Sequence, residues 1–371
     1  MKRIERLKIM TILGTRPEII RLSRILPTFD EFFDHVVVYT QQSYDYELST
    51  IFFKELELRK PDYILSVKSE TIGGQISNIL KQTEEVMLKE KPDGLLVLGD
   101  TNSSLSALIA KRLKILIFHM EAGNRCFNWD VPEEVNRAVI DVLSDYNLPY
   151  TQRSFEFLVA GGIHPSKMFI TGSPLREVYK YYHQRIEASP ILKKIKLKKQ
   201  KYFVVSTHRE ENVDRPDRLK ELFSSFNHLA ERYGYPIIVT LHPRTKSKLS
   251  VVKDIHPLIQ LHKPFGILDY IKLEKNSLCV LSDSGTIAEE SALLGFHAVQ
   301  IRSNIERTES IEKGIIMLTG RNRNAIINAI QLVVKGGSVE NAPIPDDYND
   351  TNISLKVAKL VMGLASVRKY T

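Results

Sequence analysis

Cysteine is almost absent: Cys126 and Cys279 are the only two among 371 residues. Two thiols build neither a disulfide framework nor a thiolate zinc centre, and they suit a reducing compartment, so a cytoplasmic setting is expected. No apolar run reaches the ~18 residues that a membrane-spanning helix requires. The opening MKRIERLKIMTILGTRPE puts basic residues ahead of an apolar run, in the manner of a signal peptide. That run covers only Ile9–Leu13 and meets Gly-Thr-Arg-Pro in place of a small-residue cleavage site, so it reads as a first strand. Also missing are the G-x-G-x-x-G fingerprint after the first strand and the Walker A sequence, which disfavours a bound dinucleotide or a P-loop triphosphate. No histidine or acid pair has metal-ligand spacing such as HExxH, so neither a catalytic metal nor another cofactor is expected.

Charge is not balanced. The net +8 is concentrated in Lys193–Lys201 (KKIKLKKQK), which has no interleaved aromatics and follows Ser189-Pro190. Such a run reads as a solvated linker or helix face and not as a nucleic-acid site. A modest positive field still favours a phosphate-bearing ligand.

What is present is a long alternation of strand and helix patterns, which argues for parallel sheets built from βαβ units. At this length two domains are expected. The first series places strands at Leu7–Leu13, His35–Thr40, Tyr63–Val67, Leu95–Leu98, Ile115–Phe118, Asn147–Tyr150 and Met168–Thr171. Helices are expected at Ile19–Leu26, Tyr46–Leu56, Gly73–Lys89, Ser103–Leu113 and Glu134–Leu143. Gly172-Ser173-Pro174 closes it, and a second series of strands follows at Tyr202–Ser206, Pro236–Leu241, Leu258–Leu261, Ser277–Leu281 and Ala298–Ile301. The expected architecture is α/β: two Rossmann-like domains, 1–172 and 173–351, facing one another across a deep cleft. A last helix within 352–371 has no strand after it and is free to pack back on the first domain. No internal sequence repeat is evident.

Chemistry concentrates at strand ends. The runs Leu95–Leu98 and Ile115–Phe118 stop close to Asp100 and Glu121, and Glu133-Glu134 follows after a proline. Parallel strands end on one edge of a sheet, where ligands of α/β folds bind, so Asp100 and Glu121 should sit side by side. A single strand-end acid often does no more than cap a helix. Three acids with Arg125 and Arg137 interleaved point to general acid and base chemistry. In the second half, Ser282–Glu290 (SDSGTIAEE) is a strand, a small-residue turn and a helix start, which together offer free N–H groups and a helix dipole to a phosphate. Ser284 and Thr286 add hydroxyls, Gly285 permits close approach, and Glu289 or Glu290 suits a ribose diol. Other strand ends carry Arg16, His208-Arg209 and His242-Pro243-Arg244.

Taken together, GTRPEIIR (14–21), GDTNS (99–103), HMEAGNR (119–125), PEEVNR (132–137), THREEN (207–212), SDSGTIAEE and IRSNIER (301–307) resemble the non-hydrolysing UDP-N-acetylglucosamine 2-epimerase family. The match keeps order and spacing over nearly the whole chain. The resemblance implies a glycosyltransferase-B-like architecture with UDP on the C-terminal domain. It assigns catalytic positions to Asp100, Glu121, Glu133 and His208, and UDP contacts to Arg16, His242, Phe265, Ser284, Gly285, Thr286, Glu290 and Arg307. Asn102, Arg125, Arg137 and Arg209 fall to the sugar. The implied partner is a UDP-sugar, with a homodimer or higher homo-oligomer and neither nucleic acid nor membrane. Two departures narrow the substrate. Gln41-Gln42-Ser43-Tyr44-Asp45-Tyr46 replaces the regulatory glutamine-histidine segment, and EAGNRCF stands where EAGLRT is usual. The second form resembles the capsule and O-antigen branch that converts UDP-2-acetamido-2,6-dideoxy-L-talose to UDP-N-acetyl-L-fucosamine. A branch acting on a diacetamido-uronic acid nucleotide has a similar motif.

The residues allow one mechanism best. C2 of such a sugar has no neighbouring carbonyl to acidify its proton, and the nicotinamide fingerprint needed to make one is missing. If UDP leaves first, positive charge at C1 acidifies that proton. Elimination then gives a glycal-type intermediate, and re-addition from the other face inverts C2. That route needs cations for the departing pyrophosphate and carboxylates for the proton. A glycosyltransferase of the same shape, or a nucleotide-sugar sensor, is the rival class.

Overall fold

The computed structural model describes residues 6–42, 46–241, 243–302, 304–336 and 343–370. Two compact units make up the chain: Met1–Lys180 with Asp347–Thr371, and Tyr181–Asp346. The division falls inside the helix Leu175–Ala188 and not at Gly172. Gly172 is no linker. At φ +84° it is packed so closely that a Cβ there would lie 3.1 Å from the Asp347 carbonyl oxygen and from Ile353.

In the first unit the described strands are β1 (Lys8–Leu13), β2 (Asp34–Tyr39), β3 (Tyr63–Ile64), β4 (Gly94–Leu98), β5 (Leu116–Met120) and β6 (Tyr146–Leu148). All pair in parallel, in the order β3-β2-β1-β4-β5-β6. Met10, Ile12, Val97 and Ile117 are fully buried and share a core with Ile79 and Ile140 from the covering helices. Strands covered on both faces read as unbroken apolar runs, which makes them easy to place from residue order alone.

The second unit contains β7 (Phe203–Thr207), β8 (Ile237–Leu241), β9 (Ile259–His262), β10 (Cys279–Ser282), β11 (Ala298–Gln300) and β12 (Ile316–Leu318). Its order is β12-β11-β10-β7-β8-β9, again all parallel. Counted from each unit's own first strand, both sheets run 3-2-1-4-5-6. The same Rossmann-like fold therefore occurs twice without a repeat in sequence. In such a sheet the order reverses between the first and fourth strands, and the crevice beyond their carboxyl ends is where ligands bind. Those ends are β1/β4 in one unit and β7/β10 in the other. They carry Arg16 and Asp100, and His208 and Ser284.

Local departures have visible causes. The crossover expected as one helix over 103–113 starts as a 3-10 turn, Asn102–Ser106, before an α-helix, Ala107–Arg112. The Ser103 hydroxyl donates to Gln42 (2.9 Å) and lies 2.7 Å from the Thr40 hydroxyl, while Ser104 donates to the Leu98 carbonyl (3.1 Å). Serine hydroxyls tied back to strand ends compete with a regular helix. The strand expected at 168–171 is reduced to one bridge, Asn147 to Met168. No helix among the described residues is long and apolar enough to cross a membrane.

Candidate active site

In the first unit, the loop after β1 is built around Glu18. Its carboxylate accepts from the Gly14 N–H (3.1 Å), the Thr15 N–H (2.8 Å), the Thr15 hydroxyl (2.7 Å) and the Thr101 hydroxyl (3.2 Å). It thereby joins the β1 loop to the β4 loop that carries Asp100. Gly14 fits only as glycine, since a Cβ would stand 2.0 Å from the Ser103 hydroxyl oxygen. Arg16 is exposed and lies over the Phe52 ring at 5.4 Å. Burial pushes the Glu18 carboxyl up to about 7 from 4.5, against those four hydrogen bonds. An acid raised by folding binds more protons folded than unfolded between these two values. Stability therefore falls as pH rises through that window, by up to about 3 kcal/mol, and is level above it. Glu18→Gln should flatten this slope, measured by urea unfolding at pH 5 and pH 8. A variant with the parent's slope would assign the proton elsewhere.

The helix Pro132–Leu143 is inside out. Glu134, Arg137, Ile140 and Asp141 face inward, while Val135, Val139 and Val142 are 42%, 43% and 70% exposed. Inward charges on a surface helix mark a built polar site, because each must find partners there. Arg137 finds Asp100, Glu134 (3.3 Å) and the Asn124 carbonyl (3.0 Å). Glu134 accepts from the Cys126 (3.0 Å) and Phe127 (3.3 Å) N–H groups. Asp141 pairs with Arg125 at 2.5 Å. So Arg137, expected at the sugar, is 1% exposed and spends its guanidinium on Asp100 and the 124–127 loop. Arg125, expected there too, is tied to Asp141, and Asn102 bonds Gln75 (3.0 Å) and Asn136 (3.0 Å). Glu133 is half-buried at the start of the same helix.

Glu121 follows β5 directly and is almost buried, with a left-handed backbone at φ +62°. A non-glycine residue held there costs of order 1–3 kcal/mol and persists only where its surroundings fix it, as functional sites do. Arg21, from the GTRPEIIR stretch, approaches its carboxylate to 3.3 Å, and Asn124 donates to it at 3.4 Å. The pairing of Leu98 with Met120 brings the Asp100 and Glu121 ends out together.

In the second unit one buried acid, given no role in the sequence analysis, organises the loop after β7. Asp283 accepts from the Thr207 hydroxyl (2.7 Å), the His208 and Arg209 N–H groups (3.1 Å each) and the Asn212 amide (2.9 Å). His208 Nδ1 lies 3.2 Å from it, and the His208 ring is 37% exposed. Ser284, Gly285 and Thr286 form the turn into the helix Ile287–Leu294, with the two hydroxyls 2.9 Å apart. A Cβ on Gly285 would lie 3.1 Å from Arg307 and 3.8 Å from Arg302, so two guanidinium groups back the turn. Arg209 Nη2 lies 3.9 Å from Glu306, which also pairs with Arg302 (3.4 Å). Glu289 is fully buried against Arg307 (3.5 Å), leaving the half-buried Glu290 as the acid nearer solvent. Burial and the neighbouring Glu290 carboxylate push buried Glu274 well above the usual range. Phe265 is half-buried, its ring 5.3 Å from that of His262. His242 lies outside the described residues, as do Ser43–Asp45.

The first unit thus gathers acids beyond its sheet edge, and the second sets a small-residue turn before a helix, with Arg302, Glu306 and Arg307 behind it. A family model for UDP-N-acetylglucosamine 2-epimerase matches residues 28–362. A solved structure of UDP-N-acetylglucosamine 2-epimerase from Rickettsia bellii is similar with a TM-score of 0.91, 38% identity and 99% of both chains covered. The Methanocaldococcus jannaschii UDP-GlcNAc 2-epimerase in complex with UDP-GlcNAc and UDP has a TM-score of 0.90 at 34% identity, over 96% of this chain and 99% of that one. A UDP-2,3-diacetamido-2,3-dideoxy-D-glucuronate 2-epimerase of Pseudomonas aeruginosa is 35% identical over 329 residues, 87% of this chain and 91% of its own.

Proposed function

The chain belongs to the UDP-N-acetylglucosamine 2-epimerase family, a family of isomerases, and from that premise we propose how it works and on which sugar. The reaction is inversion at C2 of a UDP-2-acetamido sugar by loss and return of UDP. The observation that supports this reading is the pairing of β4 with β5, Leu98 against Met120, so that the segments bearing Asp100 and the left-handed Glu121 leave the sheet at one edge. These two and Glu133 exchange the C2 proton and stabilise charge at C1, and His208 serves the departing diphosphate. Arg16, Ser284, Gly285, Thr286 and Arg307 hold the phosphates, with His242 proposed beside them. Glu290 takes the ribose and Phe265 the base. Asn102 and Arg209 remain proposed for the sugar, with Arg125. Arg137 is assigned to hold Asp100 in place.

The finer reading is conversion of UDP-2-acetamido-2,6-dideoxy-L-talose to UDP-N-acetyl-L-fucosamine for capsule or O-antigen synthesis. Asn124, one of the two residues, with Cys126, that depart from the usual motif, touches the Glu121 carboxylate. Beyond it, Phe127 and Trp129 are 68% and 66% exposed, an apolar surface that suits a C6 methyl group. UDP-N-acetylglucosamine and the diacetamido-glucuronate nucleotide are the alternatives. A homodimer or higher assembly belongs to the same reading, supported by the outward valines of Pro132–Leu143, and so does a cytoplasmic setting.

The test is incubation with each UDP-sugar alone, without acceptor, in D₂O, followed by NMR. Deuterium should enter C2 of the product and, with time, of recovered substrate. Retained protium at C2 with full inversion would overturn the open proton exchange assumed here. Turnover only when a sugar acceptor is added would favour the glycosyltransferase class.

A further inference from the structure

Gly99 is held at both of its polar groups by β5. Its N–H donates to the Met120 carbonyl at 2.9 Å, and its carbonyl accepts from His119 Nε2 at 2.9 Å. At φ +69° it turns the chain out of the sheet, so its orientation sets where Asp100 begins. The other nitrogen of the same ring, Nδ1, lies 3.0 Å from Asp141 Oδ1. That oxygen is also 3.3 Å from the Gly123 N–H, and Asp141 Oδ2 is 2.5 Å from Arg125. His119 is completely buried and Asp141 is 1% exposed. One imidazole therefore bridges the root of Asp100 to the turn that carries Glu121.

Both atoms facing the ring are acceptors. A carbonyl oxygen can only accept, and the Asp141 carboxyl is ionised: burial alone would raise it, but His119 and Arg125 outweigh burial and hold it below the usual range. Nε2 therefore carries the proton that the Gly99 carbonyl accepts. The titratable and charged groups against the ring are Asp141 from Pro132–Leu143 and, through it, Arg125 from the turn.

We propose that His119 is a positioning residue, a brace between Gly99 and Asp141 that keeps Asp100 and the Glu121 turn in mutual register. This rests on the reading of those two acids given above. Proton transfer depends on placement, and a misplacement of 1 Å can cost about 10² in rate. A brace acts on the sugar end and leaves the UDP end alone, which separates it from a general stabiliser.

The test has two arms. First, the full-length protein labelled with ring-¹⁵N histidine is followed by NMR from pH 6 to pH 9. The His119 signals are assigned by their loss in His119→Gln, or by their displacement in Asp141→Asn. Nε2 should carry a proton throughout, held by the Gly99 carbonyl, and a bare Nε2 would overturn the brace. Second, His119→Gln and Asp141→Asn are compared with the parent. Each should lower kcat about 10–100-fold with UDP affinity kept within about twofold. Equal losses in both, or an unchanged kcat in a folded variant, would overturn the brace. Should the parent turn over no UDP-sugar, the proposed function fails, and the NMR arm still decides the brace.

Discussion

Asp100→Asn, Glu121→Gln and Glu133→Gln are each expected to lower kcat by about 10²–10⁴ while UDP still binds. The reasoning differs for each. Glu121 sits in strained backbone with buried Arg21 at 3.3 Å, so the amide keeps the shape and loses both the proton-transfer group and the charge that faces Arg21. Asp100 is the partner of buried Arg137, and its amide leaves that guanidinium undercompensated. Asp100→Asn should therefore lose stability as well as rate, and unfolding must be measured beside turnover. Glu133 is half-buried and should show the cleanest loss of rate. Glu290→Gln is the contrast: losing one charged hydrogen bond should cost roughly 1.5–3 kcal/mol, mainly in UDP affinity and KM. Calorimetry with UDP beside steady-state kinetics separates the classes. Near-normal turnover in both Glu121→Gln and Glu133→Gln would make these acids structural.

The second large effect is expected at Asp283. Asp283→Ala removes the common acceptor of Thr207, His208, Arg209 and Asn212. Buried donors stripped of a charged acceptor cost about 3–5 kcal/mol together, as when a buried ion pair loses one member. The loop that presents His208 should loosen with it, so UDP affinity and turnover should fall together. Asp283→Asn keeps the shape but not the charge and should lie between. Urea unfolding reads the stability. A loss below about 1 kcal/mol in Asp283→Ala would mean that the loop holds itself.

Asp283 also shows where reading the sequence stops. The strand ends are legible because apolar runs buried on both faces end abruptly, and in a parallel sheet the loops after them share one edge. Asp100, Glu121, His208 and Ser284 emerge in that way. Depth is not legible. Asp283 lies inside a stretch that reads as a phosphate turn, and nothing in SDSGT says that its carboxylate points back at the β7 loop. Arg137 is assigned to the sugar by resemblance alone, and residue order by itself does not show that it is buried. The clue is present in spacing: Glu134, Arg137 and Asp141 fall three and four apart beside Ile140, which puts them on its face. Only partner geometry reveals that this face is the inward one. Glu18 and Arg21 belong to a motif, yet their roles depend on contacts with Thr101 and Glu121, about a hundred positions away in the chain.

The unit that carries the acids is assembled from two stretches of chain, with all of Tyr181–Asp346 between them. Its last contribution is the helix Ile353–Tyr370, which packs on the helix Ile25–Phe32 through a stripe that includes Ile353, Val357, Val361 and Ala365, all buried. Synthesis runs in one direction, so the stretch before Tyr181 is made well ahead of the helix that packs on Ile25–Phe32. The part of the molecule made first is thus the part finished last, and the helix Ile353–Tyr370 decides when it closes.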